Sequence, residues 1–266
     1  MLLKWMLQNK YKLIAFFIFL YLLIDLFQHK GLVRVLIPKE FPEHKITSGY
    51  PKNSNTLINT GKEWIKAVNT TVLMRAINKN SSGLECDIYF DSAKNLFEVH
   101  HDEDKYLGLN LDDLFQVYHN RGLQASAWLD FKNLNEANAH ASVSVLLQLR
   151  NKYGLQNKVL VESSKAGLLN EFSDSGFYTC YYTPMFNPYL AGDDSIKHWV
   201  DSLTLVINKA NVNALSGYYF QYPFLHQYFP GYPILIWSPN DRFSLVNWWF
   251  KQKIASSKAV FIALYP

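Results

Sequence analysis

From residue 71 to residue 266 the chain alternates short apolar runs with longer segments of helical period. Apolar runs of strand length fall at 72–77, 84–90, 125–131, 159–162, 177–182, 214–219, 234–237 and 259–264. Helix-like segments fall at 111–121, 135–152, 165–175, 195–210, 224–228 and 242–255. Asn110, Asp194 and Asn240 or Asp241 stand where helices start, since a short polar side chain can accept a bond from the free N–H groups of a first turn. Gly122, Gly154 and Gly176 stand where helices stop, at positions suited to a left-handed helix end. Eight strands with crossovers predict an α/β fold, a (β/α)8 TIM-like barrel, over an open sheet.

Upstream the pattern changes. Residues 13–27, LIAFFIFLYLLIDLF, are apolar apart from Asp25 and approach the length of a membrane span once Tyr11 and Gln28-His29 are added. A signal peptide is the alternative, but no small-x-small cleavage pattern follows in QHKGLVRVLIPKE. The expectation is an uncleaved N-terminal transmembrane helix in residues 1–30, a single-pass membrane anchor. Lys4, Lys10 and Lys12 favour a cytoplasmic N-terminus; Lys30, Arg34 and Lys39 pull the other way. The first orientation puts the remainder on the non-cytoplasmic side, periplasmic or extracellular. There Asn69-Thr70-Thr71 and Asn80-Ser81-Ser82 fit the glycosylation sequon, which matters only in a eukaryotic secretory route. Residues 31–56, with Pro38, Pro42 and Pro51, read as a linker or stalk. Residues 59–68 read as a short helix opening a domain of 57–266.

Composition narrows the classes. A length of 266 residues suits one large domain, or a barrel of the size typical for eight β/α units, about 250 residues. The net charge of +4 and the lack of a basic tract interleaved with aromatics speak against nucleic acid as a partner. Aromatics make up 16% of the chain, which suits a sugar- or lipid-facing rim and a large core equally. Cys86 and Cys180 lack metal-type spacing and fall in separate predicted strands, so buried free thiols are expected.

The chemistry concentrates in GLECDIYFDSAKNLFEVHHD, residues 83–102. On a strand Glu85 and Asp87 share a face, with Cys86 opposite. Two carboxylates on an apolar strand are costly to bury without a partner, and a hard cation such as Mg²⁺ or Ca²⁺ suits an all-oxygen pair. His100-His101-Asp102 supplies an imidazole that titrates near neutral pH. Barrel sites gather at the C-terminal strand ends. There the reading places Met74-Arg75 on strand 1, Asp130 and Lys132 on strand 3, Glu162 on strand 4 and Trp237 on strand 7. Glu85, Asp87 and Asp130 would ligate the metal, Lys132 and Arg75 would hold an anion, and His101 would move a proton with Asp102 orienting it. Trp237 is a rim or core aromatic that could stack on substrate. Lys132 could instead form a structural ion pair with Glu162 or Asp130, and one of His100 and His101 is expected to sit in water.

The pattern resembles the glycerophosphodiester phosphodiesterases, within the wider superfamily of phospholipase-C-like barrels. LECDIYFDSAKNLFEVHHD is similar to that family's E-x-D strand, turn and H-D element. WLDFK is similar to its acid-x-Lys strand, IWSPND to its late W-x-x-N strand, and AVFIALYP to its final strand. MRAINKN, YYTP and LSGYYFQYPF are also similar to the menorin-like branch. The resemblance implies a divalent metal and a phosphodiester or phospholipid-derived small molecule as substrate, acted on by a membrane-anchored phosphoric diester hydrolase. It also implies a His-Arg pair on strand 1, where the alignment of runs puts Met74-Arg75. Methionine transfers no proton, so the resemblance leaves two readings. One is an impaired hydrolase or one with a relocated acid. The other is an inactive barrel that binds a phosphorylated or glycan ligand or a surface partner.

Overall fold

A computed structural model describes residues 10–46, 50–103 and 105–266. Its strands are β1 (Glu63–Ile65), β2 (Gly83–Asp91), β3 (Leu96–Val99), β4 (Ser126–Phe131) and β5 (Val159–Ser163), then β6 (Tyr178–Tyr182), β7 (Ala214–Tyr218), β8 (Ile234–Trp237) and β9 (Val260–Tyr265). Parallel pairing runs β1-β2-β4-β5-β6-β7-β8-β9 and returns to β1, which closes a (β/α)8 barrel. The eighth strand closes on the first through Glu63↔Ala263, Trp64↔Leu264 and Ile65↔Tyr265. β2 outruns the barrel, and its projecting half pairs antiparallel with β3.

Alternation sorts the strand residues. Cys86, Leu129 and Val161 face the helices, whereas Trp64, Trp128, Leu160, Cys180 and Leu235 pack in the barrel interior. Both cysteines are free and buried, as expected. Trp64 lies so close to β2 that a Cβ on Gly83 would overlap its indole ring.

The helices are α1 (Lys10–Gln28), α2 (Lys30–Leu36), α3 (Thr71–Ala76), α4 (Leu111–Asn120) and α5 (Ala139–Tyr153), then α6 (Leu169–Asp174), α7 (Asp193–Lys209), α8 (Tyr222–Tyr228) and α9 (Leu245–Ser256). Asn110 caps α4 by accepting from Asp113 N–H. The cap of α9 is Ser244, not Asn240 or Asp241, and Asp194 lies inside the first turn of α7. Gly122, Gly154 and Gly176 all adopt the left-handed conformation expected of them.

The first strand lies elsewhere than the pattern predicts. Residues 72–77 are largely helix, and the first strand is β1, inside the stretch read as a helix. TVLMRA is capped by Thr70, whose hydroxyl accepts from Leu73 N–H. Arg121 donates to the carbonyls of Met74 and Ile77 at its other end. Helical winding buries Met74 and leaves Val72 and Leu73 exposed. A three-residue EWI strand shows no period, and only pairing on both sides defines it.

Residues 31–56 are not a free stalk. Leu32 and Val35 of α2 are buried, and Lys253 donates to the carbonyls of Val35 and Leu36. Asn53 and Asn55 then tie the chain to Asn211, Ser173 and Phe177 under the barrel. α1 is 19 residues long with a mean hydropathy of 1.8, the length and character of a membrane span. Its one buried residue, Asp25, accepts from Val246 N–H at 3.1 Å and pairs with His29 at 2.9 Å.

Candidate active site

Glu85 and Asp87 leave β2 toward the barrel axis, and the register places Asp87 beside Asp130 on β4. One carboxylate oxygen from each of Glu85, Asp87 and Asp130 lies within 4.8 Å of the others. All three residues are buried at the C-terminal end of the barrel. They line an open-mouthed cavity of about 90 Å³ together with Lys66, His101, Lys132, Tyr182, Tyr218 and Trp237. The segment after β1 braces two of the acids. Ala67 N–H donates to Glu85 Oε2 at 2.7 Å. Asn69 Nδ2 donates to Asp87 Oδ2 at 2.6 Å, and Asp87 N–H donates back to Asn69 Oδ1 at 2.9 Å. Lys132 Nζ bridges Asp87 Oδ1, at 2.8 Å, and Asp130.

Burial dominates the electrostatics. It pushes the Glu85 carboxyl up, with help from the Asp87 and Asp130 charges, to about 8. Burial also raises Asp130, against the pull of Lys132. For Lys132 burial opposes the charge, but Asp130 and Asp87 outweigh it and hold the ammonium above its ordinary value. Glu162 belongs to a deeper layer. It is fully buried, accepts from Trp128 Nε1 and Ser216 Oγ, and burial and Asp130 raise it well above the carboxylate range.

Fold comparisons place this geometry among known barrels. A glycerophosphodiester phosphodiesterase from Parabacteroides distasonis superimposes with a TM-score of 0.52 at 13% identity, over 78% of this chain and 93% of its own. A putative one from Galdieria sulphuraria gives 0.52 at 16%, over 80% and 94%. A putative glycerophosphoryl diester phosphodiesterase from Agrobacterium tumefaciens gives 0.53 at 9%, over 77% and 93%. The chain has the glycerophosphodiester phosphodiesterase fold. No protein-family model and no curated protein matches it.

Within the glycerophosphodiester phosphodiesterase fold, the anticipated residues divide cleanly. Glu85, Asp87, Asp130, Lys132, His101 and Trp237 come together at one mouth. Met74 and Arg75 do not. They belong to α3, with Met74 in the core and Arg75 exposed away from the cavity lining. The residue that follows β1 into the cavity is Lys66, so lysine, and not methionine, stands where the resemblance calls for the strand-1 histidine. Sequence reasoning misses Lys66 and Asn69 as cleft residues, because placing the first strand one segment late also misplaces the loop after it; Tyr182 and Tyr218 fall inside the quoted YYTP and LSGYYFQYPF stretches but carry no role there. Of the two histidines, His100 is the buried one. It stacks on Tyr89 at 4.3 Å, and its Nδ1 lies 2.7 Å from Asp102 O. His101 faces the cavity with Nδ1 2.7 Å from Asp102 Oδ1. The Asn69 side chain is committed to Asp87, which removes it as a surface sequon; Asn80 is exposed.

Proposed function

We propose that this cleft is the site of a metal-dependent phosphoric diester hydrolase held at a membrane by α1. The observation that carries the reading is the convergence of three buried carboxylates beside His101. Ionised together, the three carboxylates would exceed by two charges the one ammonium in contact with them, that of Lys132. That excess and an all-oxygen donor set fit a divalent cation, Mg²⁺ or Ca²⁺, held by Glu85, Asp87 and Asp130. Bound there, the cation would polarise a phosphoryl oxygen.

The chain's own groups take the remaining tasks. Lys132 orients Asp87 and Asp130 and lies close enough to the mouth to meet substrate. Lys66 offers a second cation to the phosphate. Asp102 engages His101 Nδ1, which leaves Nε2 free to take or give a proton. Trp237 and Tyr182, with ring centroids 4.7 Å apart and nearly perpendicular, form an apolar wall for the esterified group. The presence of Lys66 at the end of β1 favours one further reading, a barrel that binds a phosphorylated ligand without turning it over. The similarity to the menorin-like branch sits with either.

The full chain in nanodiscs, incubated with bis(p-nitrophenyl) phosphate or glycerophosphocholine and Ca²⁺, Mg²⁺ or Mn²⁺, tests this. Turnover that EDTA removes and Asp87→Asn abolishes is the expected result. No turnover, with metal-dependent binding of glycerol 3-phosphate, would establish the binding reading instead.

A further inference from the structure

Six large exposed apolar side chains outside α1 stand at one end of the barrel. Leu107, Leu190 and Phe243 are 90%, 73% and 87% exposed, and Met185, Trp248 and Trp249 are also exposed. Leu107 follows β3, Met185 and Leu190 lie between β6 and α7, Phe243 lies between β8 and α9, and the two tryptophans stand near the start of α9. Segments that leave the C-terminal ends of strands form one face of such a barrel. All six therefore stand on the rim around the cleft. The opposite end is closed by amide contacts of Asn53, Asn55 and Asn213.

α1 joins the same rim. The Tyr21 hydroxyl donates to the Phe243 carbonyl, and Asp25 receives Val246 N–H. Leu22 and Leu26 line an apolar groove with Leu245, Trp248 and Trp249. The exposed apolar surface of α1 is thus continuous with the rim. An exposed apolar rim of this kind marks a contact surface. Here the adjoining element is itself about as long as a bilayer core is thick. Tryptophan and tyrosine beside its end suit the headgroup level.

We propose that the C-terminal face of the barrel lies on the bilayer that α1 enters, so that the cleft opens onto lipid headgroups and takes its phosphodiester from an amphiphile in that bilayer. The phosphodiester in this statement rests on the function proposed above; the placement of the face does not.

The test uses the full chain reconstituted in phosphatidylcholine vesicles. Leu107→Cys, Leu190→Cys and, on the opposite end, Ile58→Cys would each carry an environment-sensitive fluorophore. Cys86 and Cys180 are buried. Lipids brominated along the acyl chain should quench the labels at 107 and 190 at least severalfold more than the label at 58. Equal quenching at all three, or none at 107 and 190, overturns the proposal. The substrate side is read with the double variant Leu190→Glu/Phe243→Glu. Turnover of a long-chain lysophospholipid in vesicles should fall at least tenfold, while turnover of soluble bis(p-nitrophenyl) phosphate stays unchanged. Equal loss on both substrates, or on neither, overturns uptake from the bilayer. If no form turns over any diester, the hydrolase reading fails, and quenching alone decides the face.

Discussion

Asn69 grips Asp87 from two sides: its amide nitrogen donates to Oδ2 at 2.6 Å, and its amide oxygen accepts the Asp87 backbone N–H at 2.9 Å. The pair fixes the carboxylate rotamer and links the segment after β1 to the clustered acids. Partners that orient ligands typically contribute about 10–100-fold to metal affinity. Asn69→Ala should therefore weaken Ca²⁺ or Mg²⁺ binding by about that factor in calorimetry. An unchanged affinity would separate Asp87 from the metal.

Removing one ligand should cost more. Glu85→Gln, Asp87→Asn or Asp130→Asn each removes one carboxyl group from the cluster. At a metal concentration about 100 times its Kd, binding to the native form stabilises a protein by ~2.7 kcal/mol. A metal-induced rise in Tm is expected for the unsubstituted chain and should vanish in each variant. If the rise survives all three substitutions, the metal binds elsewhere.

Positions 66 and 74 should separate chemistry from packing. Met74 is fully buried on α3, and truncating a buried methionine typically costs about 2–5 kcal/mol. Met74→Ala should lower stability in urea unfolding. Met74→His should destabilise as well and restore no activity, because it buries an imidazole away from the cleft. Lys66→Ala should leave stability within about 0.5 kcal/mol, as an exposed position allows, and reduce phosphodiester turnover or phospho-ligand affinity. Lys66→His should raise turnover, since general acid–base help is worth about 10²–10⁴-fold. A loss of activity in Met74→His that exceeds its loss of folded protein would contradict this division.

Glu162 sets a pH dependence of stability. Its folded pKa lies well above the ordinary value, so the folded state keeps a proton that the unfolded state releases above about pH 4.5. That contribution is complete below the unfolded pKa and is lost as pH rises. Glu162→Gln mimics the neutral acid and keeps an acceptor for Trp128 Nε1. Its Tm should decline less between pH 5 and pH 9 than that of the unsubstituted chain. Parallel Tm curves would show Glu162 to be ionised in the fold.

How much of this was legible in the sequence follows from the range of each interaction. Seven of the barrel strands, the hairpin acids Glu85 and Asp87, and the Asp130–Lys132 pair were readable, because strand alternation and apolar periodicity are local properties of a few residues. The (β/α)8 architecture followed from their order. The first strand was not readable. Glu63–Ile65 is three residues long and is a strand only because β9 and β2 flank it. Thr70 and Arg121 meanwhile cap TVLMRA into a helix, and Arg121 is remote in sequence. The identity of the strand-1 cleft residue depended on that one register, so Lys66 emerged only with the closed barrel. Tertiary structure likewise decided which histidine faces the cleft. His100 and His101 are equivalent neighbours in sequence, and stacking on Tyr89 buries the first while Asp102 holds the second. Local pattern therefore determined the elements and most of the acids, and long-range closure determined which side chains share the mouth.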